Sequence, residues 1–390
     1  MNHIQRSYSA ALSPGKTDIV IIGGYGSVGR TLSLQLAKRF PGHVYAAGRS
    51  LESAQRFSKE TGGLVKPMQW AVGSDAPKKD LSSIALIVMC LDQDEPGLVE
   101  QCLEEGTHYM DITAKVDFLL KAGRLSIPSP KAAAVLSVGL APGLTNLLAA
   151  KAAAALDDTD RIEISLMLGL GEHHGKAAIE WTIDSMGADF EVAEADRLRK
   201  VRSMTNGITA EFGGKLGRKR VYRFPFSDQR TLPGTLGVSD VSTRLGFDVN
   251  GIARAAAGLR RLGVFRLLRW PPMRALSVKL AGALHAGSEQ FAVRVVAYGR
   301  SNGRSAASGC TIRGIRQSDM TARVAAYTAE TLLARPELRG VLHLEELLDA
   351  DTVWSVVRTD SASELEVDLS FEAPEASDAS QVRIPTRRGV

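Results

Sequence analysis

The first part of the chain alternates short, continuous apolar runs with segments of helical periodicity. The first run is the β-branched segment Asp18–Ile22, and apolar positions spaced as in a helix follow a glycine-rich stretch. Further apolar runs cover residues 44–47, 84–91, 108–113 and 134–138. Such runs are typical of strands that are buried on both faces. The pattern predicts an α/β fold that begins with a Rossmann domain, a doubly wound parallel sheet, over residues 18–150.

The pattern changes after about residue 152. Residues 161–168, 221–224 and 291–298 alternate between apolar and polar positions, as strands with one polar face do. They predict strands of a second domain over residues 151–320. The polar residues 1–17 are expected to be a flexible N-terminus, and residues 373–390, rich in Ser, Pro, Ala and charge, a disordered tail.

A glycine triplet follows the first predicted strand. Gly24, Gly26 and Gly29 have the G-x-G-x-x-G spacing. In that pattern the first glycine allows a tight turn, the second lets the backbone approach a pyrophosphate, and the third lets the helix pack on the strand. The alternative is a turn without a ligand. Its position between a strand and a helix favours a dinucleotide site formed by Gly24, Tyr25, Gly26, Ser27, Val28 and Gly29.

The end of the second predicted strand indicates which dinucleotide binds. Enzymes that use NAD usually have a carboxylate there for the ribose 2′-hydroxyl. This chain has Arg49 and Ser50 instead, and the first carboxylate is Glu52. A guanidinium can pair with a 2′-phosphate through two hydrogen bonds. NADP(H) is therefore the predicted cofactor, unless Arg49 is only a solvated surface residue.

Polar residues also follow the later predicted strands. Ligands of open parallel sheets gather at the carboxyl ends of the strands. Asp92 and Thr113 are expected there as cofactor-binding residues, and Asp111 as a catalytic residue. Alternatively, Asp111 caps a turn or a helix.

Several segments together resemble the saccharopine dehydrogenase-like reductases, to which carboxynorspermidine and homospermidine synthases are related. They are the glycine loop, residues 47–51, residues 109–112 and residues 139–146. The resemblance implies a Rossmann domain interrupted by the second domain, whose mixed sheet supports a homodimer and covers the substrate. It also implies that C-terminal helices in residues 321–372 return to the Rossmann domain, with residues 341–348 similar to the returning helix.

The chemistry that this resemblance implies is reduction of an imine formed from an amine and an oxo acid. The substrate would then be a small molecule, a carboxylated amine or amino acid. The chain departs from saccharopine reductases at one loop. Those proteins have Asp before the Pro-Gly and Asp-His after it, whereas this chain has Ala141, Thr145 and Asn146. The reaction type is therefore better supported than the substrate.

A second group of candidate catalytic residues lies in residues 169–176, just before a predicted helix. His174, the second histidine of a pair, is a candidate proton donor, and Lys176 a candidate clamp for a carboxylate. Adjacent histidines do not face one metal ion well, and no third ligand stands at regular spacing, so no metal site is predicted. The remaining alternative is a glycine-rich turn with solvated polar groups.

Residues 252–285 form a basic amphipathic segment. Arginines alternate with leucines, and Pro271-Pro272 divides the segment in two. The favoured interpretation is a pair of domain helices whose arginines are solvated or meet substrate carboxylates. The alternative is a surface that lies on an anionic membrane.

Composition limits the remaining possibilities. The formal net charge of +5 over 390 residues is too small to indicate nucleic acid as a partner. Cys90, Cys102 and Cys310 have no metal-ligand spacing, which fits a reducing, cytoplasmic compartment. The first domain lacks a Tyr-x-x-x-Lys pair and the chain lacks a nucleophile elbow. A carbonyl or alcohol oxidoreductase and a redox-silent NADP(H) sensor remain as rival functions.

Overall fold

A computed structural model describes residues 15–73, 79–172, 175–194, 197–249, 251–283, 287–359 and 368–376. Its first sheet has seven strands, all parallel. In spatial order they are β15 (Gly340–His343), β6 (Ala133–Leu136), β5 (His108–Asp111), β4 (Ile84–Met89), β1 (Asp18–Ile22), β2 (Val44–Gly48) and β3 (Lys66–Gln69). This is the Rossmann order with one strand added at the edge. The predicted Rossmann domain is confirmed.

Helices cover this sheet because its strands are apolar on both faces, as in β4, where every residue is buried. The helices between its strands are α1 (Ser27–Arg39), α2 (Leu51–Glu60), α3 (Gly97–Glu105) and α4 (Val116–Gly123). They connect successive parallel strands, so the carboxyl ends of the strands share one edge. That edge carries the predicted cofactor site.

The second sheet is mixed, as predicted, and also has seven strands. In spatial order they are β10 (Ile208–Glu211), β11 (Arg218–Arg223), β12 (Asp240–Phe247), β7 (Asp158–Leu168), β13 (Gln290–Ser301), β14 (Arg304–Ile315) and β16 (Asp368–Ala376). β12 and β7 are parallel, and the other neighbours are antiparallel. The hairpin β8 (Asp189–Glu194) and β9 (Arg197–Arg202) forms a separate two-stranded sheet.

The remaining helices join the two sheets or cover the second one. They are α5 (Thr145–Ala154), α6 (Lys176–Gly187), α7 (Asp228–Leu236), α8 (Ile252–Arg261), α9 (Pro271–Ala283), α10 (Gln317–Ala334), α11 (Leu344–Leu347) and α12 (Ala350–Thr359). One buried cluster contains residues of both sheets, so the hydrophobic core is continuous between the domains. No helix of the described residues has the length and apolar character that a membrane crossing requires.

The structure corrects several predicted boundaries. The limit at residue 150 falls inside α5, which packs on β7, β13 and β14 of the second sheet. The returning segment begins at Gln317, and residues 341–348 are not one helix, because residues 340–343 form strand β15 beside β6. Residues 368–372 pair with β14 in the second sheet, and so do residues 375 and 376 of the predicted disordered tail. Strand β15 is short and has no clear apolar periodicity. In β16, by contrast, Leu369, Phe371 and Ala373 alternate with polar residues, a strand pattern that the prediction from family resemblance and composition did not use.

The N-terminus is also more ordered than its composition predicts. Lys16 donates to the Leu81 carbonyl and to the Thr107 hydroxyl, each over 2.8 Å. The Thr17 N–H donates to the Ser83 carbonyl. The predicted flexible segment therefore does not include residues 16 and 17, and residues 1–14 lie outside the described part of the chain.

Candidate nucleotide and substrate site

The loop between β1 and α1 is held by three glycines for different reasons. Gly23 has a φ of +83°, a value that favours glycine. A Cβ at Gly24 would lie 2.7 Å from the Ile21 carbonyl oxygen, and one at Gly29 would lie 2.2 Å from the Gly23 oxygen. Neither position tolerates a side chain without a shift of the backbone. The sequence pattern predicted that Gly24 forms the tight turn. In the structure, Gly23 has the positive φ of the turn, and Gly24 is required for close packing.

Gly26 has a different role, because it is exposed and serves as the N-cap of α1. A Cβ there would approach only the Gly23 oxygen, at 3.1 Å. The first N–H groups of a helix lack partners within the helix, and the first turn of α1 holds no acidic residue. Exposed Ser27 and half-buried Val28 begin this turn. The loop thus fits a pyrophosphate, which would approach through the open side of Gly26.

Arg49 and Ser50 are exposed directly after β2, beside the glycine loop. The Ser50 hydroxyl oxygen accepts from the Ser53 N–H over 3.1 Å and caps α2. The Tyr25 hydroxyl accepts from the Ser50 N–H over 3.3 Å, and a Cβ at Gly48 would lie 2.2 Å from that hydroxyl. Tyr25 therefore holds the turn that presents Arg49. A guanidinium at this position fits a 2′-phosphate.

Asp111 ends β5 and is completely buried. Its Oδ1 accepts from the Thr113 N–H and hydroxyl, over 2.8 and 2.6 Å, and its Oδ2 accepts from the Tyr109 hydroxyl over 2.6 Å. Burial raises the pKa of Asp111 to about 6, and hydrogen bonds from Thr113 and Tyr109 oppose this rise. Gln93 donates to the Tyr109 hydroxyl over 2.6 Å.

These contacts give Asp111 the alternative role considered from the sequence. It closes a turn onto the Thr113 N–H, and a carboxylate with no exposed surface does not touch a substrate in this conformation. Thr113 is nearly buried by the same contacts. Asp92, at the end of β4, stays exposed at the predicted edge. Partial desolvation raises the pKa of Asp92, and the nearby Lys115 lowers it.

The loop after β6 is fixed by side chains behind it. The Ala141–Pro142 peptide bond is cis. Asn146 is buried, accepts from the Gly143 N–H over 3.3 Å and donates to Glu345 over 3.1 Å. The residue that replaces the family's histidine in this loop therefore supports the backbone. Its neighbour Thr145 is also buried.

Residues 225–229, which follow β11, are mainly interior. Asp228 is completely buried, and its Oδ1 accepts from the Gln229 N–H over 2.8 Å and from the Thr243 hydroxyl over 2.5 Å. Burial raises the pKa of Asp228 to about 6, and the hydrogen bond from Thr243 opposes this rise. Phe226 packs with Phe224 and Trp181, with ring centroids 5.2–5.5 Å apart. This region joins the domains.

A loop of the second domain lies on the nucleotide loop. A Cβ at Gly175 would be 3.6 Å from the Ser27 Cβ. Glu172 is buried in this loop, and its carboxylate accepts from the Gln317 and Ser318 N–H groups over 2.8 and 3.0 Å, so it caps α10. The Thr31 hydroxyl of α1 donates to Asp319 in α10 over 3.3 Å. The loop that contains Glu172 and Gly175 therefore contacts both α10 and the nucleotide loop.

The structure describes the backbone of only one of the two remaining candidate catalytic residues, His174 and Lys176. His174 lies outside the described residues. Lys176 begins α6, one residue after Gly175, so its backbone is near Ser27, but its side chain lies outside the described part. Within the described residues, no group of three or more His, Cys, Asp or Glu side chains has the arrangement of a metal site. Sequence reasoning missed Glu172, because its partners are 145 and 146 positions away in the chain.

Comparison with known families supports the nucleotide site. Residues 19–136 match the model of the saccharopine dehydrogenase NADP binding domain. The predicted resemblance to saccharopine dehydrogenase-like proteins and the predicted cofactor are thus confirmed for the first domain. A search of curated proteins finds no match.

Two solved structures are similar to this chain. One is the apo structure of a saccharopine dehydrogenase (L-Glu forming) from Saccharomyces cerevisiae, with 13% identity and a TM-score of 0.61; the match covers 91% of this chain and 100% of that chain. Another is a DAP dehydrogenase from C. glutamicum in complex with DAP, with 13% identity and a TM-score of 0.41, covering 89% of this chain and 100% of that one. The yeast structure thus shows the fold of the chain, and the match over residues 19–136 shows an NADP binding domain within it.

Proposed function

We propose that this saccharopine dehydrogenase-like oxidoreductase reduces an imine formed from an amine or amino acid and an oxo acid. The observation that carries the proposal is the contact between Gly175 and Ser27, which puts a loop of the second domain on the nucleotide loop. A substrate between the domains would thus be held next to the cofactor. The name of the yeast neighbour, a saccharopine dehydrogenase that forms L-Glu, supports a C–N substrate.

The residues of the first domain bind and orient the cofactor in this proposal. The N–H groups after Gly26 hold the pyrophosphate, and Arg49 and Ser50 hold the 2′-phosphate. Bound NADPH would supply the hydride for the imine carbon and leave as NADP+. The hydrogen-bonded Asp111 keeps the edge of the sheet rigid and does not itself meet the substrate.

The second domain contributes the groups that handle the substrate. His174 is proposed to donate the proton that the imine nitrogen takes up, and Lys176 to hold a carboxylate. Lys176 is supported by its position, since α6 begins at this residue directly above Ser27. Glu172 holds the loop that carries His174 and Lys176 against α10 by capping that helix, so it acts as a positioning residue.

The proposal is tested by measuring NADPH oxidation with a panel of amines and oxo acids, supplied singly and in pairs. We expect oxidation only when both partners are present, with a secondary amine as the product. Oxidation with an oxo acid or another carbonyl alone would indicate a carbonyl reductase. NADPH binding without oxidation across the panel would indicate a sensor. Either result contradicts imine reduction.

The assigned roles have their own test. Lys176→Gln should raise KM for the carboxylated partner, with a smaller change in kcat, and His174→Gln should lower kcat and change its pH profile. Lys38→Gln, an exposed lysine at the other end of α1, is the matched control. Equal KM values for Lys176→Gln and the control would remove Lys176 from the substrate site.

A further inference from the structure

One surface of the second domain combines exposed apolar side chains with unusual positive charge. Nine large hydrophobic side chains are exposed in the described part of the chain. Apart from Leu51, all of them lie on one strand and one helical segment: Leu198, Leu259, Leu262, Val264, Leu267, Trp270, Leu276 and Leu280. Single exposed hydrophobic residues need no explanation, but such a concentration marks an interaction site.

The charge of the same segment has one sign. Between Ile252 and Ala283 the chain has no Asp or Glu, and its basic residues are Arg254, Arg260, Arg261, Arg266, Arg269, Arg274 and Lys279. Strand β9 contributes Lys200 and Arg202, which are exposed on the same side of the strand as Leu198. We call the exposed apolar residues, together with the exposed Lys200, Arg202, Arg254, Arg261, Arg266 and Lys279, the basic-apolar surface.

A cavity of about 440 Å³ lies within the basic-apolar surface. Lys200 and Arg202 of β9 line it together with Arg260, Arg261 and Arg266. Asp189 is the acidic residue of the lining, and it forms an ion pair with Arg260. The other four cations converge on the cavity from two segments that are about sixty positions apart in the sequence. Such a cavity suits a phosphate group.

Internal contacts hold the segment in this arrangement. Arg274 makes two hydrogen bonds to Asp184 of α6, over 2.9 and 2.7 Å, and thereby fixes α9. A Cβ at Gly187 would be 3.3 Å from the Phe265 Cβ, so Phe265 packs on the end of α6. With these residues turned inward, Leu276 and Leu280, one helical turn apart, face outward.

We propose that the basic-apolar surface binds the face of an anionic phospholipid bilayer. Leucines and Trp270 would enter the boundary between headgroups and acyl chains, while the arginines meet lipid phosphates, one of them in the cavity. A second copy of the chain fits this surface less well. A two-fold interface pairs the same patch with itself and would place these like charges opposite each other.

The test uses the full chain and vesicles of phosphatidylcholine, with or without phosphatidylglycerol. We expect cosedimentation with phosphatidylglycerol vesicles only, weakened by added salt, and a blue shift of fluorescence that is lost in Trp270→Phe. Because each basic residue near an anionic surface contributes about fivefold in affinity, Arg261→Gln with Arg266→Gln should weaken binding about twenty-five-fold. Leu262→Gln with Leu280→Gln should abolish the fluorescence shift.

Two exposed basic residues on other faces provide the matched control. Lys38→Gln with Arg304→Gln removes the same charge and should leave vesicle binding nearly unchanged. An equal loss in the two charge variants, or no binding to anionic vesicles, would overturn the proposal. So would inorganic phosphate that raises the Tm through Arg266 while vesicles stay unbound, which would indicate a free anion. A concentration-dependent dimer that Leu262→Gln dissociates would instead show a subunit interface.

Discussion

The two loops that meet at the domain junction are held in their conformations by different kinds of contact. The loop from Gly23 to Gly29 is defined by what its residues lack, since side chains at Gly24 and Gly29 would collide with backbone atoms. The loop from Gly169 to Gly175 is defined by partners elsewhere, such as Ser288, Asp248 and the start of α10. A local steric requirement produces a recognisable sequence motif, whereas a contact between segments that are distant in the chain produces no such motif.

The steric requirement for glycine in the nucleotide loop can be tested by adding a single methyl group at each position. Gly29→Ala would put a Cβ 2.2 Å from the Gly23 oxygen, so we expect it to destabilise the protein by more than about 3 kcal/mol and to abolish NADPH binding. Gly26→Ala meets only one atom, at 3.1 Å. It should fold with a nearly normal Tm but bind NADPH weakly, because its methyl group occupies the path of the pyrophosphate.

Thermal unfolding without nucleotide, followed by NADPH titration, separates the two glycine roles. If Gly26→Ala and Gly29→Ala lose the same stability, the distinction between packing and phosphate approach is wrong. If Gly26→Ala binds NADPH normally, the open side of the loop does not face the pyrophosphate.

The buried carboxylate of Asp111 should make stability depend on pH. Its pKa is about 6 in the folded protein and about 3.9 when unfolded, so the folded state binds more protons between these values. Its contribution is therefore lost as the pH rises from about 4 to about 6, by about 3 kcal/mol. Asp111→Asn should remove this part of the slope, measured as the difference in free energy of unfolding from the wild type.

An exposed carboxylate supplies a control of opposite sign. Asp349 accepts from the Thr352 hydroxyl and N–H at the start of α12, and these bonds lower its pKa. Its contribution is present above the unfolded pKa and is lost as the pH falls. Asp349→Asn should therefore not change the sign of the slope of the free energy of unfolding against pH between pH 4 and 6. A wild-type slope that survives Asp111→Asn would contradict the burial argument.

The sequence predicted the first domain well for reasons that particular residues show. The runs that form β1 and β4 are apolar at consecutive positions because both faces of the strands are buried. Strand β15 was missed because its four residues are half-buried at an edge and have no such run. The role of Asp111 was left open, since only the structure shows that Tyr109 and Thr113 occupy its oxygens.

The second domain was predicted less completely for the same reason. The alternating segment that forms β7 was identified, whereas β16 was not. The family resemblance implied that residues 321–372 return to the first domain as helices, and composition predicted a disordered tail after them. Likewise, the basic character of residues 252–285 was evident, but the position of Lys200 and Arg202 beside it was not. Neighbours that the chain brings from a distance are not encoded in local periodicity.

Cofactor preference can be tested at the end of β2. Because Arg49 is predicted to pair with the 2′-phosphate, Arg49→Asp should weaken NADPH binding about tenfold to a hundredfold and change NADH binding little. Isothermal titration with both nucleotides measures this ratio. Arg304→Asp, at the distant β13–β14 hairpin, makes the same charge change and should leave both affinities intact. Equal losses for NADPH and NADH in Arg49→Asp would contradict the assigned role.

The smallest effect concerns Ser50, whose hydroxyl has two assigned roles. It caps α2 through the Ser53 N–H, and it is expected to donate to the 2′-phosphate. Ser50→Ala should therefore lower the free energy of unfolding by about 1 kcal/mol and weaken NADPH binding a few-fold. Ser50→Asp separates the roles, because aspartate retains the cap but places a negative charge beside the phosphate. It should keep the wild-type stability and NADH affinity while losing NADPH affinity. If Ser50→Asp binds NADPH as well as the wild type does, the phosphate lies elsewhere and Ser50 is only a helix cap.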